Sequence, residues 1–232
     1  MTDEDPTSSP LALQLARVEK STPPTVSDIC EAAVLATVEL LDDERSRPGG
    51  IWHDAVAAWN GARIRKIMRR GRASAWERAQ EPDGVTVRHR SAEVRAFVPG
   101  PLDQAPAALA KLQIQSTDLD EPARLDALPR PEGEVEGSPM LWVVLTPEVT
   151  MSWGKRAAQC AHAGQLAWQQ ADPGLVSAWN DAGRPVRVIH ATPALWEELR
   201  PLADVSIHDG GFTEIPAGTL TALALWSTVP AG

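Results

Sequence analysis

Apolar residues in the C-terminal third of the chain form short runs that alternate with helical patterns. The run MLWVVLTP, which Pro147 stops, predicts a buried strand, and VRVIHA, DVSIHD and TLTALALW predict three more. Helices are predicted from Trp153 to about Ala171, with Ser152 as the N-cap, and in GLVSAWNDAG and PALWEEL. This alternation predicts an α/β fold, a three-layer α/β/α domain built on a mixed four-stranded sheet.

The N-terminal part of the chain carries mostly helical patterns. DICEAAVLATVELLDDE has apolar residues at helical spacing, and the glycines of RPGG end that helix. A longer pattern predicts a basic helix over 52–79, and VTVRHR and EVRAFVPG predict two short strands. We therefore expect a mainly helical N-terminal region of unknown function over 26–114. No internal repeat is apparent.

Two stretches lack a pattern that would form a core. Residues 1–25 are rich in Pro, Ser and Thr and are predicted to be a disordered tail. Residues 115–138 are acidic and Pro-rich and predict a linker. The linker would separate the N-terminal region from a C-terminal domain over 139–232.

Charge changes this picture locally. The net charge of −9 argues against a general nucleic-acid coat protein, yet between Arg63 and Arg95 cations outnumber acids by ten to four. Such a segment can bind a polyanion, although a solvated helix face would have the same composition. Two scattered cysteines, an acidic N-terminus and the lack of a membrane-spanning apolar run together indicate a cytoplasmic protein.

The stretch MSWGKRAAQCAHAG places a lysine in the first turn of its helix. On a helical wheel Lys155, Gln159 and His162 lie on one side, so the positive end of the helix begins a polar stripe. Such a site would attract an anion such as phosphate. A lysine that only extends into solvent has the same spacing. Cys160 and His162 point to different faces, so no metal site is predicted.

The stretch IHDGGFTEIPAGTLT places a carboxylate beside hydroxyl groups. Asp209 ends a predicted strand, and Thr213 and Thr221 lie on either side of a turn. This combination suits acid–base chemistry. An aspartate that only forms a local turn is the alternative.

Together, the two stretches resemble the signatures of the class II peptidyl-tRNA hydrolase family of archaea and eukaryotes. The family's helix opens approximately Met-Gly-Lys-Gly-Lys-Ile-Ala-Ala-Gln-Cys-Ser-His-Ala, and this chain has MSWGKRAAQCAHA. The second signature, approximately Asp-Ala-Gly-Arg-Thr-Gln-Ile-Ala-Pro-Gly-Thr-x-Thr, corresponds to DGGFTEIPAGTLT. The resemblance covers about Met140 to Val229. Phe212 and Glu214 replace the family's usual Arg and Gln.

The resemblance implies hydrolysis of the ester that joins a peptide to tRNA. Lys155 would hold phosphate or stabilise negative charge on the ester oxygen, and Asp209 would orient or deprotonate the attacking water. Thr213 and Thr221 would position water or substrate, and the identity of the general base stays open. Neither a metal nor an organic cofactor is implied.

The same resemblance implies tRNA as the partner and suggests a homodimer. The lack of a membrane-spanning apolar run predicts no membrane association. The residues expected to contact substrate or tRNA are Gln159, His162, Arg156, Arg65, Lys66, Arg69 and Arg70. Two other functions stay open: a non-catalytic RNA- or protein-binding module that keeps the fold, which Phe212 and Glu214 favour, and a hydrolase of another acyl ester or amide.

Overall fold

The structure is a computed structural model that describes residues 10–60, 66–101, 104–106, 109, 112, 119–130, 133–211 and 214–229. Its N-terminal half contains a five-stranded sheet. The strands are β1 (Pro10–Arg17), β2 (Lys66–Gly71), β3 (Gly84–His89), β4 (Ala92–Phe97) and the short β5 (Gly100–Pro101). The helices are α1 (Val26–Asp42), α2 (His53–Asn60) and α3 (Ala73–Arg78), with a 3-10 turn at Glu44–Ser46.

The C-terminal half contains a four-stranded mixed sheet in the order β7-β6-β9-β8, which confirms the predicted fold class. The strands are β6 (Pro139–Leu145), β7 (Val186–His190), β8 (Val205–His208) and β9 (Leu220–Thr228). The helices are α4 (Trp153–Gln170), α5 (Pro173–Asp181) and α6 (Pro193–Leu199), with a 3-10 turn at Arg200–Leu202.

Helices α1 and α4 pack against each other and form a layer between the two sheets. Alternate residues from Leu141 to Leu145 face this layer, and those from Met140 to Val144 face α6 on the other side. Strand β1 behaves in the same way: Ala12 and Ala16 face α1, and alternate residues from Leu11 to Leu15 pack with α3. Each sheet is therefore buried on both faces, and the two halves share one central core.

Two predictions for the N-terminal half were wrong. Strand β1 lies inside the predicted disordered tail 1–25, because LALQLA alternates with the period of a strand and its leucines are almost fully buried. The predicted basic helix over 52–79 is instead α2, β2 and α3. Pairing of β2 with β1 overrides the helical pattern there, and Gly71 lies against the side chain of Leu15. The predicted strands β3 and β4 are present.

The predicted linker 115–138 contacts the C-terminal sheet where it is described. Leu125 forms a parallel bridge with Ala191, and its amide donates to the carbonyl of His190 at 2.7 Å. The domain boundaries at 114 and 139 stay a prediction, because the two halves share a core across them.

The sheets of the two halves have the same strand order and directions. In the first, β2-β1-β4-β3, strand β1 is parallel to β2 and antiparallel to β4. In the second, β6 is parallel to β7 and antiparallel to β9 in the same way. The fold thus contains a repetition that was not apparent in the sequence.

We expect Gly164→Ala to lower the free energy of unfolding by about 1–2 kcal/mol, although alanine is the better helix former. A Cβ at this position of α4 would lie 2.4 Å from Cγ1 of Val34 in α1. Chemical denaturation would measure the loss. Val34→Ala makes room for the added methyl group, so the double variant should lose less than the sum of the two single losses. Additive losses would show that the contact between these helices is not the cause.

Candidate active site

The ends of three strands meet at one edge of the C-terminal sheet. Strands β6, β7 and β8 run in the same direction, because β6 and β8 are both antiparallel to β9 and β7 is parallel to β6. Their carboxyl ends carry Thr146, His190 and Asp209. Helix α4 begins at the same edge. Open α/β sheets bind ligands at such an edge.

Lys155 and Asp209 form a buried ion pair at this edge. The hydroxyl of Ser152 caps α4 by accepting from the amide of Lys155 at 3.3 Å, which fixes the first turn. The Lys155 ammonium pairs with Oδ2 of Asp209, and the two side chains are only 15% and 3% exposed. Gln159, one turn further along α4, donates to the same carboxylate oxygen. The structure therefore brings together three of the residues predicted from the two stretches.

The loop after β8 fixes the Asp209 carboxylate in place. Oδ1 accepts from the amide of Gly211 at 2.8 Å, and the backbone carbonyl of Asp209 accepts from the amide of Gly218 at 2.8 Å. Gly211 has a φ of 76°, and a Cβ there would lie 2.7 Å from Cβ of Ala217. A glycine is therefore needed at this position. Lys155, Gln159 and the Gly211 amide therefore all donate to the side chain of Asp209.

Thr221 is fully buried in β9, and its hydroxyl donates to the carbonyl of Ile207 at 3.1 Å. This bond joins β9 to β8 just before Asp209. Thr213 and Phe212 lie outside the described residues.

Glu214 makes a contact with the N-cap residue of α4 that the sequence did not predict. Its carboxylate accepts from both the amide and the hydroxyl of Ser152, each at 2.9 Å. A negative charge is favourable at the N-terminal end of a helix. Glu214 therefore supplies from the loop the acid that the first turn of α4 lacks.

A cavity of about 180 Å³ lies at the same edge, above the ends of β6 and β7. Arg156 is buried in its wall and pairs with both carboxylate oxygens of Glu121, which lowers the pKa of Glu121. Burial, and then the positive charge of Arg156, lowers the pKa of His190 to about 4. The polar residues of the lining are Glu121, Arg124, Thr146, Thr150, Arg156 and His190.

The other predicted contacts for tRNA are placed differently. Arg69 and Arg70 are only 6% and 8% exposed in β2, so the structure buries side chains that the charge pattern assigned to a polyanion surface. Arg69 donates to the carbonyl of Leu112 at 2.7 Å. His162 is half-buried, two turns along α4 from Lys155. Arg65, another predicted contact, lies outside the described residues. For its neighbour Lys66, only the backbone, which belongs to β2, is described.

Metal-ligating side chains do not cluster within the described ranges: no three of His, Cys, Asp or Glu are placed to hold an ion. No helix in that part of the chain is long and apolar enough to cross a bilayer.

Comparison with known proteins identifies relatives of the C-terminal half. Residues 140–228 match the family model described as peptidyl-tRNA hydrolase PTH2. Over 100 residues the chain is 34% identical to a protein of Schizosaccharomyces pombe named "Probable peptidyl-tRNA hydrolase 2". That match covers 39% of this chain and 49% of the yeast protein, so the chain spans about half the length of this curated relative.

We expect the free energy of unfolding to fall as the pH is lowered from about 6.5 to about 4. His190 has a pKa near 4 in the folded chain against 6.5 in its ordinary state, so the unfolded chain binds the proton first. By pH 4.5 this linkage amounts to about 2 kcal/mol. The charged groups that face the imidazole are Arg156, Glu121 and Arg124.

Denaturation at pH 7.5 and 4.5, with His190→Asn as the control, measures this dependence. The variant should lose less stability than the wild type between the two values. Equal losses would show that His190 does not cause the dependence.

Proposed function

Because residues 140–228 form a domain of the peptidyl-tRNA hydrolase PTH2 family, we propose that this chain hydrolyses the ester between a peptide, or an N-blocked amino acid, and tRNA. The tRNA is thereby released for reuse. The observation that supports this most is the buried Lys155–Asp209 pair at the N-terminal end of α4. Such a substrate would place the chain in the cytoplasm.

In this proposal, Asp209 holds the attacking water. Oδ2 is engaged by Lys155 and Gln159, and Oδ1 accepts from the Gly211 amide. Each carboxylate oxygen has two lone pairs, so Oδ1 keeps acceptor capacity for a water molecule. Asp209 then orients this water or takes its proton. Thr213 would help to position the water, and Thr221 positions Asp209 by joining β9 to β8.

Lys155 acts on the negative charge of the reaction. Attack of water on the ester carbonyl forms a bond from oxygen to carbon and places charge on the former carbonyl oxygen. The Lys155 ammonium and the amides at the start of α4 would stabilise that charge. The bond from carbon to the ribose oxygen then breaks, the ribose oxygen takes up a proton, and the peptide leaves with a free carboxyl group.

The proposed contacts to tRNA centre on the same end of α4. Arg156, Gln159 and His162 lie on the helix that carries Lys155 and remain proposed contacts. Arg156 is only 8% exposed and pairs with Glu121, so a phosphate would have to displace that carboxylate to reach it. Arg65 and Lys66 remain proposed contacts. Arg69 and Arg70 are buried and serve the packing of β2 instead.

One observation favours the second candidate, a non-catalytic binding module with the same fold. Glu214 stands where the family usually has Gln, and its carboxylate binds the N-cap of α4. This charge lies at the helix end where the reaction would build negative charge, so it opposes stabilisation of that charge.

The catalytic proposal predicts that Lys155→Ala and Asp209→Asn lower the single-turnover rate on an N-blocked aminoacyl-tRNA by at least about a hundredfold. Lys20→Ala removes an exposed lysine and is the matched control, with the rate expected to stay unchanged. Circular dichroism would verify that each variant folds. Full rates in both variants would contradict the site. Binding of tRNA by the wild type without cleavage would favour the binding module.

Glu214→Gln should raise the rate several-fold if the protein is a hydrolase. The amide oxygen of Gln can still accept from Ser152, so the cap is kept while the charge is removed. Glu214→Ala should instead lower the free energy of unfolding by about 1 kcal/mol, because it removes both bonds to the cap residue. A lower rate in Glu214→Gln would show that the charge assists the reaction.

A further inference from the structure

The registers of the two sheets correspond residue by residue. In the first sheet Ala12 pairs with Lys66 and Ala16 with Arg70. In the second, Leu141 pairs with Val186 and Leu145 with His190. Adding 129 to the residue numbers of β1 and 120 to those of β2 therefore gives the paired residues of β6 and β7. Because each strand takes its own shift, a matching register does not by itself distinguish a repeat from a shared strand order; a shift that several elements share does.

The sequence carries the same shift of 120 through the next elements. The tripeptide AWN occurs at Ala58–Asn60 in α2 and at Ala178–Asn180 in α5. The dipeptide WE occurs at Trp76–Glu77 in α3 and at Trp196–Glu197 in α6. All four tryptophans are at most 5% exposed. Trp59 and Trp179 belong to the shared central core, and Trp76 and Trp196 belong to the core on the outer face of their own sheets.

The two long helices also correspond. Thr25 caps α1 and Ser152 caps α4, each by accepting from the amide of the third residue after it. Adding 127 to each buried residue between Ile29 and Leu40 gives a buried residue between Arg156 and Ala167. The two helices therefore present equivalent faces to each other.

The contacts between the halves are reciprocal. Helix α1 packs on α4 and on β7, and α4 packs on α1 and on β2, which is the equivalent of β7. Reciprocal contacts of this kind are those of a twofold dimer.

We propose that the N-terminal half is a second copy of the C-terminal fold that takes the place of a partner protomer and lacks the active site. The chain would then be a monomer with one site, in place of the homodimer that the family resemblance implies. The site itself rests on the proposed function, whereas the duplication does not.

The N-terminal half has different residues at the positions of the site. The equivalents of Lys155 and Gln159 are Asp28 and Ala32. Eleven residues separate β8 from β9, whereas β3 and β4 are joined by a turn of two residues, Arg90 and Ser91. Ser91 donates to the Asp28 carboxylate, so an acid and a hydroxyl occupy the place of the ion pair.

In the N-terminal half, residues at the equivalent end of the sheet instead bind the C-terminal half. The buried Glu31 carboxylate accepts from the amide of Val188 in β7 at 3.0 Å, and it also pairs with His89 and Arg90. Strand β7 is the outermost strand of its sheet and has a neighbouring strand on one side only. Glu31 therefore accepts from a backbone amide of β7 that has no strand beside it to bond with. Its equivalent in α4 is Ala158, which carries no charge.

Sedimentation equilibrium of the full chain tests this proposal without any activity. We expect a mass of 25.0 kDa, that of one chain, over a wide range of concentrations. A stable mass of two chains would overturn it.

Matched variants provide a second test, because Asp28 and Lys155 are equivalent under the duplication. Asp28→Asn keeps the hydrogen bond to Ser91 and should leave hydrolysis and tRNA binding unchanged, whereas Lys155→Ala should lower the hydrolysis rate at least about a hundredfold. A comparable loss of rate in both would show that the N-terminal half contributes to catalysis, which would overturn the proposal. If the wild type hydrolyses nothing, the proposed function fails, and the measured mass alone decides this proposal.

Discussion

The close packing of α1 against α4 is the contact on which both halves depend. One side of each helix packs on the inner face of its own sheet, and the other side packs on the other helix. The approach is close because α4 carries small residues there, with Gly164 directly against Val34. Without α1, the apolar face of α4 that packs on it would be exposed to water, which is unfavourable. The polar bond from Glu31 to β7 adds alignment to this apolar contact.

The site depends on this packing through the position of one helix end. The first turn of α4 carries two cations at the positive end of the helix dipole, which is unfavourable in isolation. Three acids from other segments offset it: Asp209 pairs with Lys155, Glu121 pairs with Arg156, and Glu214 accepts from the cap residue Ser152. The first and last are brought there by the loop after β8, so the fold assembles the electrostatics of the site from distant parts of the chain.

Local patterns predicted the C-terminal half well and the N-terminal half poorly. All four C-terminal strands were predicted because they are short apolar runs with clear ends, and the two signature stretches predicted that Lys155 and Asp209 belong to one site. Strand β1 was missed because the composition of residues 1–25 outweighed the alternation of LALQLA. Strand β2 was missed because arginines that are buried by tertiary packing look exposed in a sequence. The bonds of Glu121 and Glu214 link segments far apart in sequence, so no local pattern contains them.

The repeat escaped detection for a related physical reason. The halves agree where side chains are buried, as in the four tryptophans and the equivalent faces of α1 and α4. A buried position must stay apolar and of similar volume, but several residue types meet that requirement, so the sequence at such positions can change. They differ where a side chain would act on a ligand, as at Asp28 against Lys155. A copy that only has to pack against its partner is held to the volume and polarity of its core, whereas a copy that also binds an anion needs particular charges at one sheet edge. Packing alone therefore preserves strand register and helix faces while the residues of a site change, which is the pattern that distinguishes the two halves of this chain.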